Sequence, residues 1–265
     1  MQVFADDGAR IDVCVDGLKH DVAVVLIHGF PMTRAIWDAQ SDALAQRFCV
    51  VRPDLRGAGS SSIPDGPYLM ERMAADVAAV LDALAIERVA LAGHSMGGYV
   101  ALAFARMFAE RVTRLALVTS RLRGDTPDEA SARRALADRV ESEKSIEPVV
   151  EAYLPRFFAA TTVTKKPGVV ERAYEISRRN APAGLFAALR GIALRPSSED
   201  LAEDLDVPAL VVAGGSDRIV TLEEARAVRT AFPRVQMVTC DESGHLPMME
   251  EPQLVTGALE RWLAA

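Results

Sequence analysis

The chain has 265 residues, half of them hydrophobic and a quarter charged, a balance that supports a large buried core and excludes a disordered chain. Its 30 lysines and arginines against 37 aspartates and glutamates give a net charge of −7, whereas nucleic-acid binders usually carry a basic excess. The three cysteines, Cys14, Cys49 and Cys240, form neither a disulfide framework nor a metal-binding pair. Each falls in an apolar stretch and reads as a small buried residue of a reduced protein. The first sixteen residues carry Asp6, Asp7, Arg10 and Asp12 and lack the apolar core of a signal peptide. No apolar run approaches the ~20 residues of a membrane span, so a cytoplasmic protein without membrane or nucleic-acid partners is expected.

In chain order, short apolar runs of strand length alternate with helical patterns. Residues 22–27 form the first run, closed by Gly29 and Pro31, and 48–51 the second, closed by Pro53. Met70, Met73, Val77, Val80, Leu81 and Leu84 recur at the spacing of one helix face. Residues 89–92 predict a strand, 99–105 a helix apolar all round and therefore buried, and 115–118 another strand. Residues 121–206 hold no convincing strand and are punctuated by Pro127, Pro148, Pro155, Pro167, Pro182 and Pro196. Structureless loops of that length are uncommon in compact domains, so a helical insertion covering one face is expected. Strands resume at 209–213 and 235–238. Continuous apolar strands are buried on both faces, as in parallel sheets, and their alternation with helices predicts a layered α/β chain.

The sharpest chemical signal is Gly93-His94-Ser95-Met96-Gly97-Gly98, between a predicted strand and a predicted buried helix. That context suits a G-x-S-x-G turn, which lifts a serine hydroxyl above the sheet and aims helix N-terminal amides at developing negative charge. A hydroxyl needs a base. Of four histidines, His20 lies in a charged loop, His28 closes a strand and His94 is the serine's neighbour, leaving His245 in Glu242-Ser243-Gly244-His245-Leu246-Pro247. The base in turn needs a carboxylate to fix its tautomer. Asp217, in Gly214-Gly215-Ser216-Asp217-Arg218 after a predicted strand, is the first choice, with Asp241 and Glu242 as rivals. An oxyanion hole draws one amide from the residue after the serine and one from a strand-ending loop. His28-Gly29-Phe30-Pro31 supplies that loop, which selects the amides of Met96 and Phe30, because Pro31 has none. No ligand-spaced cluster or phosphate-binding glycine loop occurs, so neither metal nor cofactor is expected.

Together with Asp54-Leu55-Arg56-Gly57-Ala58-Gly59-Ser60-Ser61, these motifs resemble the α/β-hydrolase superfamily along almost the whole chain. Ala58 departs from the histidine many relatives carry in that turn. The resemblance implies a mostly parallel eight-stranded sheet flanked by helices, a core of residues 1–120 and 207–265, and a helical cap at 121–206. A serine nucleophile sets the chain apart from haloalkane dehalogenases and epoxide hydrolases, which use aspartate. Lys19, Lys144, Lys165 and Lys166 fall in no motif, unlike the site lysine of hydroxynitrile lyases. What remains is a carboxylesterase-like serine hydrolase acting on small, uncharged esters through an acyl-enzyme. Enol-lactonase, perhydrolase and carbon–carbon bond hydrolase are alternatives on the same Ser95, His245 and Asp217. A ligand receptor with a vestigial triad is the non-enzymatic one.

Overall fold

A computed structural model describes residues 1–17 and 23–265. Its centre is one eight-stranded sheet in the order β1-β2-β4-β3-β5-β6-β7-β8. The strands are β1 (Gln2–Phe4), β2 (Arg10–Asp16), β3 (Ala23–Ile27), β4 (Cys49–Pro53), β5 (Val89–His94), β6 (Val112–Val118), β7 (Ala209–Gly214) and β8 (Val235–Cys240). From β4 to β8 all pairings are parallel, and β1 and β2 add an antiparallel edge.

The six strands expected from continuous apolar runs are β3 to β8, with shifted ends. Residue 22, taken as the start of the first run, lies outside the described residues, as do Lys19 and His20. The edge strands carry a different signal. In β2, Ile11 and Val13 are buried while Asp12 and Cys14 are only half-buried, the period-two pattern of a sheet with one wet face. Cys14 is therefore not a core residue; its thiol lies against Asp16 and Arg52.

Alternation also divides the core. Val25, Ile27, Leu91, Leu117 and Val211 face one side of the sheet, whereas Val24, Leu26, Ala92, Val118 and Val212 face the other. The first side is covered by α2 (Met70–Ala83), α3 (Met96–Met107) and α10 (Leu222–Ala231), the second by α1 (Asp38–Leu44) and α12 (Pro252–Ala264). Every residue from 99 to 105 is buried, as an apolar helix requires. Burying each large aliphatic side chain of these layers contributes about 1.5–3 kcal/mol.

Between β6 and β7 run α4 (Pro127–Glu143), α5 (Glu147–Tyr153), α6 (Ala160–Lys165), α7 (Pro167–Ser177), α8 (Pro182–Ile192) and α9 (Glu199–Asp204); the short α11 (Pro247–Glu250) follows β8. Pro127, Pro148, Pro167 and Pro182 each stand in the first turn of a helix, where the missing N–H costs nothing. These prolines start helices rather than break them.

Candidate active site

Four loops at the carboxyl ends of parallel strands converge, which is where open α/β sheets build sites. They follow β3, β5, β7 and β8 and carry Phe30, Ser95, Asp217 and His245 respectively. The turn after β5 is strained. Ser95 has φ 51° and ψ −115°, a conformation that a non-glycine residue adopts only when its surroundings force it. The flanking glycines allow the fold to close there: a Cβ on Gly93 would lie 2.2 Å from the Gly97 carbonyl oxygen, and one on Gly97 would lie 2.4 Å from that of Ile27. Below the turn, Ser120 Oγ donates to the Ser95 carbonyl at 2.9 Å.

Ser95 Oγ lies 2.9 Å from His245 Nε2, and His245 Nδ1 lies 2.8 Å from Asp217 Oδ2. The carboxylate can only accept, so Nδ1 carries the ring proton and Nε2 presents its lone pair to the serine hydroxyl. Asp217 is held by its other oxygen, which accepts from the amides of Ile219 at 2.7 Å and Val220 at 3.0 Å. The rivals Asp241 and Glu242 are both exposed and take no part in this chain of bonds. Met96 opens α3, where the first amides have no acceptor within the helix. Neither its N–H nor that of Phe30 donates to another backbone group among the described residues.

His245 is fixed from every side by contacts that the sequence did not announce. His94 Nε2 donates to the His245 carbonyl at 2.9 Å, and Thr119 Oγ1 donates to the same oxygen at 3.0 Å. Burial, and then the adjoining His245, hold the His94 pKa well below the usual imidazole value. His94 is thus a neutral support. The His245 amide donates to the Phe157 carbonyl at 2.6 Å, and the two rings lie 5.0 Å apart. Glu250 Oε1 accepts from the amides of Gly244 at 2.8 Å and Leu246 at 3.3 Å, while its Oε2 accepts from Ala159 N and Thr162 Oγ1. One buried carboxylate therefore ties the histidine loop to the 121–206 segment. His28 is structural too: its Nε2 accepts from the Leu55 amide at 2.9 Å.

A cavity of about 30 Å³ opens onto Ser95 and His245, space for roughly two water molecules. Its apolar wall is Phe30, Met96, Phe157, Ile192 and Ile219, and its polar wall is Tyr99, Arg121, Arg133 and Tyr153.

An α/β-hydrolase fold profile matches residues 22–252. The chain belongs to the α/β-hydrolase family. A thermophilic esterase from Thermogutta terrifontis, solved with malate bound, is 37% identical, superposes with a TM-score of 0.95, and is matched over 100% of this chain and 97% of its own. An enol-lactonase from Burkholderia xenovorans LB400 is 26% identical, with a TM-score of 0.92 and full coverage of both chains. A 2-hydroxy-6-oxo-2,4-heptadienoate hydrolase from Pseudomonas putida is 29% identical over 93% of this chain and 92% of its own. This α/β-hydrolase thus has relatives named as an esterase, an enol-lactonase and a dienoate hydrolase.

Of the cavity residues, Phe30, Ser95, Met96 and His245 were expected from sequence; arginines of the 121–206 segment were expected only as a group that could make a pocket polar, and the structure brings Arg121 and Arg133 to the wall. Arg121 had a usable signal, since it stands just beyond the carboxyl end of β6. Arg133 and Tyr153 had none, because their meeting depends on how α4 and α5 pack.

Proposed function

We propose that the protein is a serine hydrolase of small carboxylic esters, with Ser95 as nucleophile, His245 as base and Asp217 as its orienting acid. The observation that carries this reading is the continuous run of hydrogen bonds, 2.9 and 2.8 Å long, from Ser95 through His245 to Asp217. Ser95 Oγ attacks the ester carbonyl as its proton passes to His245 Nε2, and Asp217 steadies the resulting imidazolium. The amides of Met96 and Phe30 hold the oxyanion. As the C–O bond breaks, His245 returns the proton to the leaving alcohol, and an acyl group remains on Ser95. Water, deprotonated by the same histidine, attacks that acyl-enzyme and releases the acid. Residues 121–206 serve as the cap, since Tyr153, Phe157 and Ile192 from this segment share the cavity with Ser95. The esterase relative at 37% identity supports the ester reading.

An enol-lactone is the second reading. It is favoured by the enol-lactonase relative, and lactone opening uses the same acyl-enzyme steps without a departing alcohol. The test of the shared claim is whether a fluorophosphonate abolishes hydrolysis of p-nitrophenyl butyrate by reacting at Ser95.

A further inference from the structure

We propose that the cavity beside Ser95 selects a substrate carrying a free carboxylate at its non-reacting end, a short diacid monoester or a lactone of equivalent chemistry, received by Arg121 and Arg133. The inference rests on the proposed hydrolase reading and replaces the uncharged ester expected from sequence.

The cavity wall contains two guanidinium groups and two phenols but no aspartate or glutamate. The compensating carboxylates sit behind that wall. Asp125, its side chain 1% exposed, meets Arg121 at 3.2 Å, Arg133 at 2.7 Å and Arg195 at 2.7 Å. One buried carboxylate thus serves three arginines. Glu224 and Glu129 do not make up the difference, because Arg123 shares both, at 2.8 and 2.6 Å. In this cluster four arginines stand against three carboxylates. Arg123 is 36% exposed and solvated, so the surplus charge is not itself buried. What matters at the cavity is that neither Arg121 nor Arg133 has a carboxylate to itself, which leaves their guanidinium groups open to one more anionic partner.

Free donors point the same way. Arg121 is buried, and its Nε–H has no acceptor among the described residues. Tyr153 Oη accepts from Arg133 Nη1 at 2.7 Å, so its own proton remains available to donate. Burial raises the Tyr153 pKa above the ordinary phenol value and keeps that proton in place. Planar guanidinium donors flanked by a phenol match a carboxylate better than a neutral alkyl chain. Arg195 lies 4.0 Å over the ring of Tyr99, another wall residue, and so braces the same face from outside.

The experiment compares methanol release from monomethyl glutarate and from methyl valerate, and titrates the wild-type protein calorimetrically with glutarate and with glutaramide. The expected result is a kcat/KM at least tenfold higher for the acid ester. Glutarate should bind and glutaramide should not, and in Arg133→Gln both the kinetic preference and glutarate affinity should fall at least tenfold. Hydrolysis of methyl valerate with no preference for the acid ester, and no glutarate binding at millimolar concentration, would overturn the carboxylate site and leave the hydrolase reading intact. Glutarate binding without turnover of either ester would do the opposite. The wild-type comparison decides the matter even where the arginine variant does not fold.

Discussion

The residues proposed for the chemistry are held by other residues rather than by their own preferences. Ser95 keeps a strained backbone because Gly93 and Gly97 let the turn close against neighbouring carbonyls. His245 keeps one orientation because His94, Thr119 and Phe157 hold its backbone, the Phe157 ring packs beside its own, and Glu250 holds the amides of Gly244 and Leu246 on either side. If Asp217 is the orienting acid, Asp217→Asn should lower kcat on the order of 10³–10⁴-fold, because the amide can stabilise the wrong tautomer and cannot balance an imidazolium. The melting temperature should hardly move. Asp241→Asn, at an exposed position, should change kcat less than about twofold by the same physical argument. Steady-state kinetics and a thermal melt of both variants decide it, and a reversed pattern would make Asp241 the acid. At this scale the meeting of Ser95, His245 and Asp217, which the structure brings within hydrogen-bonding distance, was legible. Ser95, Asp217 and His245 sit beside glycines that only tight turns need, so local sequence marks them. Arg133, Asn180 and Glu250 carry no such mark, and Arg121 only its place just beyond the carboxyl end of β6. Asn180, for example, accepts from Gly59 N and donates to the Pro31 carbonyl, a bridge between segments far apart in the chain.

Among the elements, β3 and β7 read clearly because both faces are buried and every residue is apolar; β8 was expected to be buried likewise, but at the sheet's other edge it is mostly half-buried. The antiparallel edge did not read clearly, because β2 shows its character only as alternation. Helices α4 to α9 were expected as a group, without bounds for each; four of the prolines that punctuate the segment stand in the first turn of a helix. Residues of this segment line the cavity beside Ser95, and how tightly they pack limits the acyl chain that the site can take. Each added methylene gains about 0.8 kcal/mol while the walls can yield, after which overpacking costs about 1–3 kcal/mol. Within a series of neutral p-nitrophenyl esters, kcat/KM should therefore peak between acetate and hexanoate and fall for laurate and palmitate. A maximum at palmitate would mean that residues 121–206 open widely and do not form a snug cap.

For the molecule as a whole, arginine–carboxylate networks and buried imidazoles fix how stability responds to acid. Burial works to raise the pKa of Asp125, but hydrogen bonds and charges from Arg133 and Arg195 outweigh it and hold the group below the ordinary carboxylate value. Arg123 does the same for Glu129, chiefly by hydrogen bonding. His28 and His94 are held below the ordinary imidazole value by burial. In all four the unfolded chain binds a proton more readily, so their contribution is present above the unfolded value and lost as pH falls through the folded one. Asp76 and Glu250, raised by burial, act in the opposite sense but are outnumbered. The melting temperature should fall as pH drops below about 6.5 and more steeply below about 4, the unfolded values of the two group types. A melting temperature that rises on acidification would contradict this assignment. The claim on which all else depends is that one serine, held by one histidine, does the chemistry. Intact-protein mass spectrometry after fluorophosphonate treatment, followed by peptide mapping, tests it most directly. A single adduct on Ser95, absent from Ser95→Ala and accompanied by loss of ester hydrolysis, is the result predicted; an adduct elsewhere, or undiminished turnover by the alanine variant, would contradict the account.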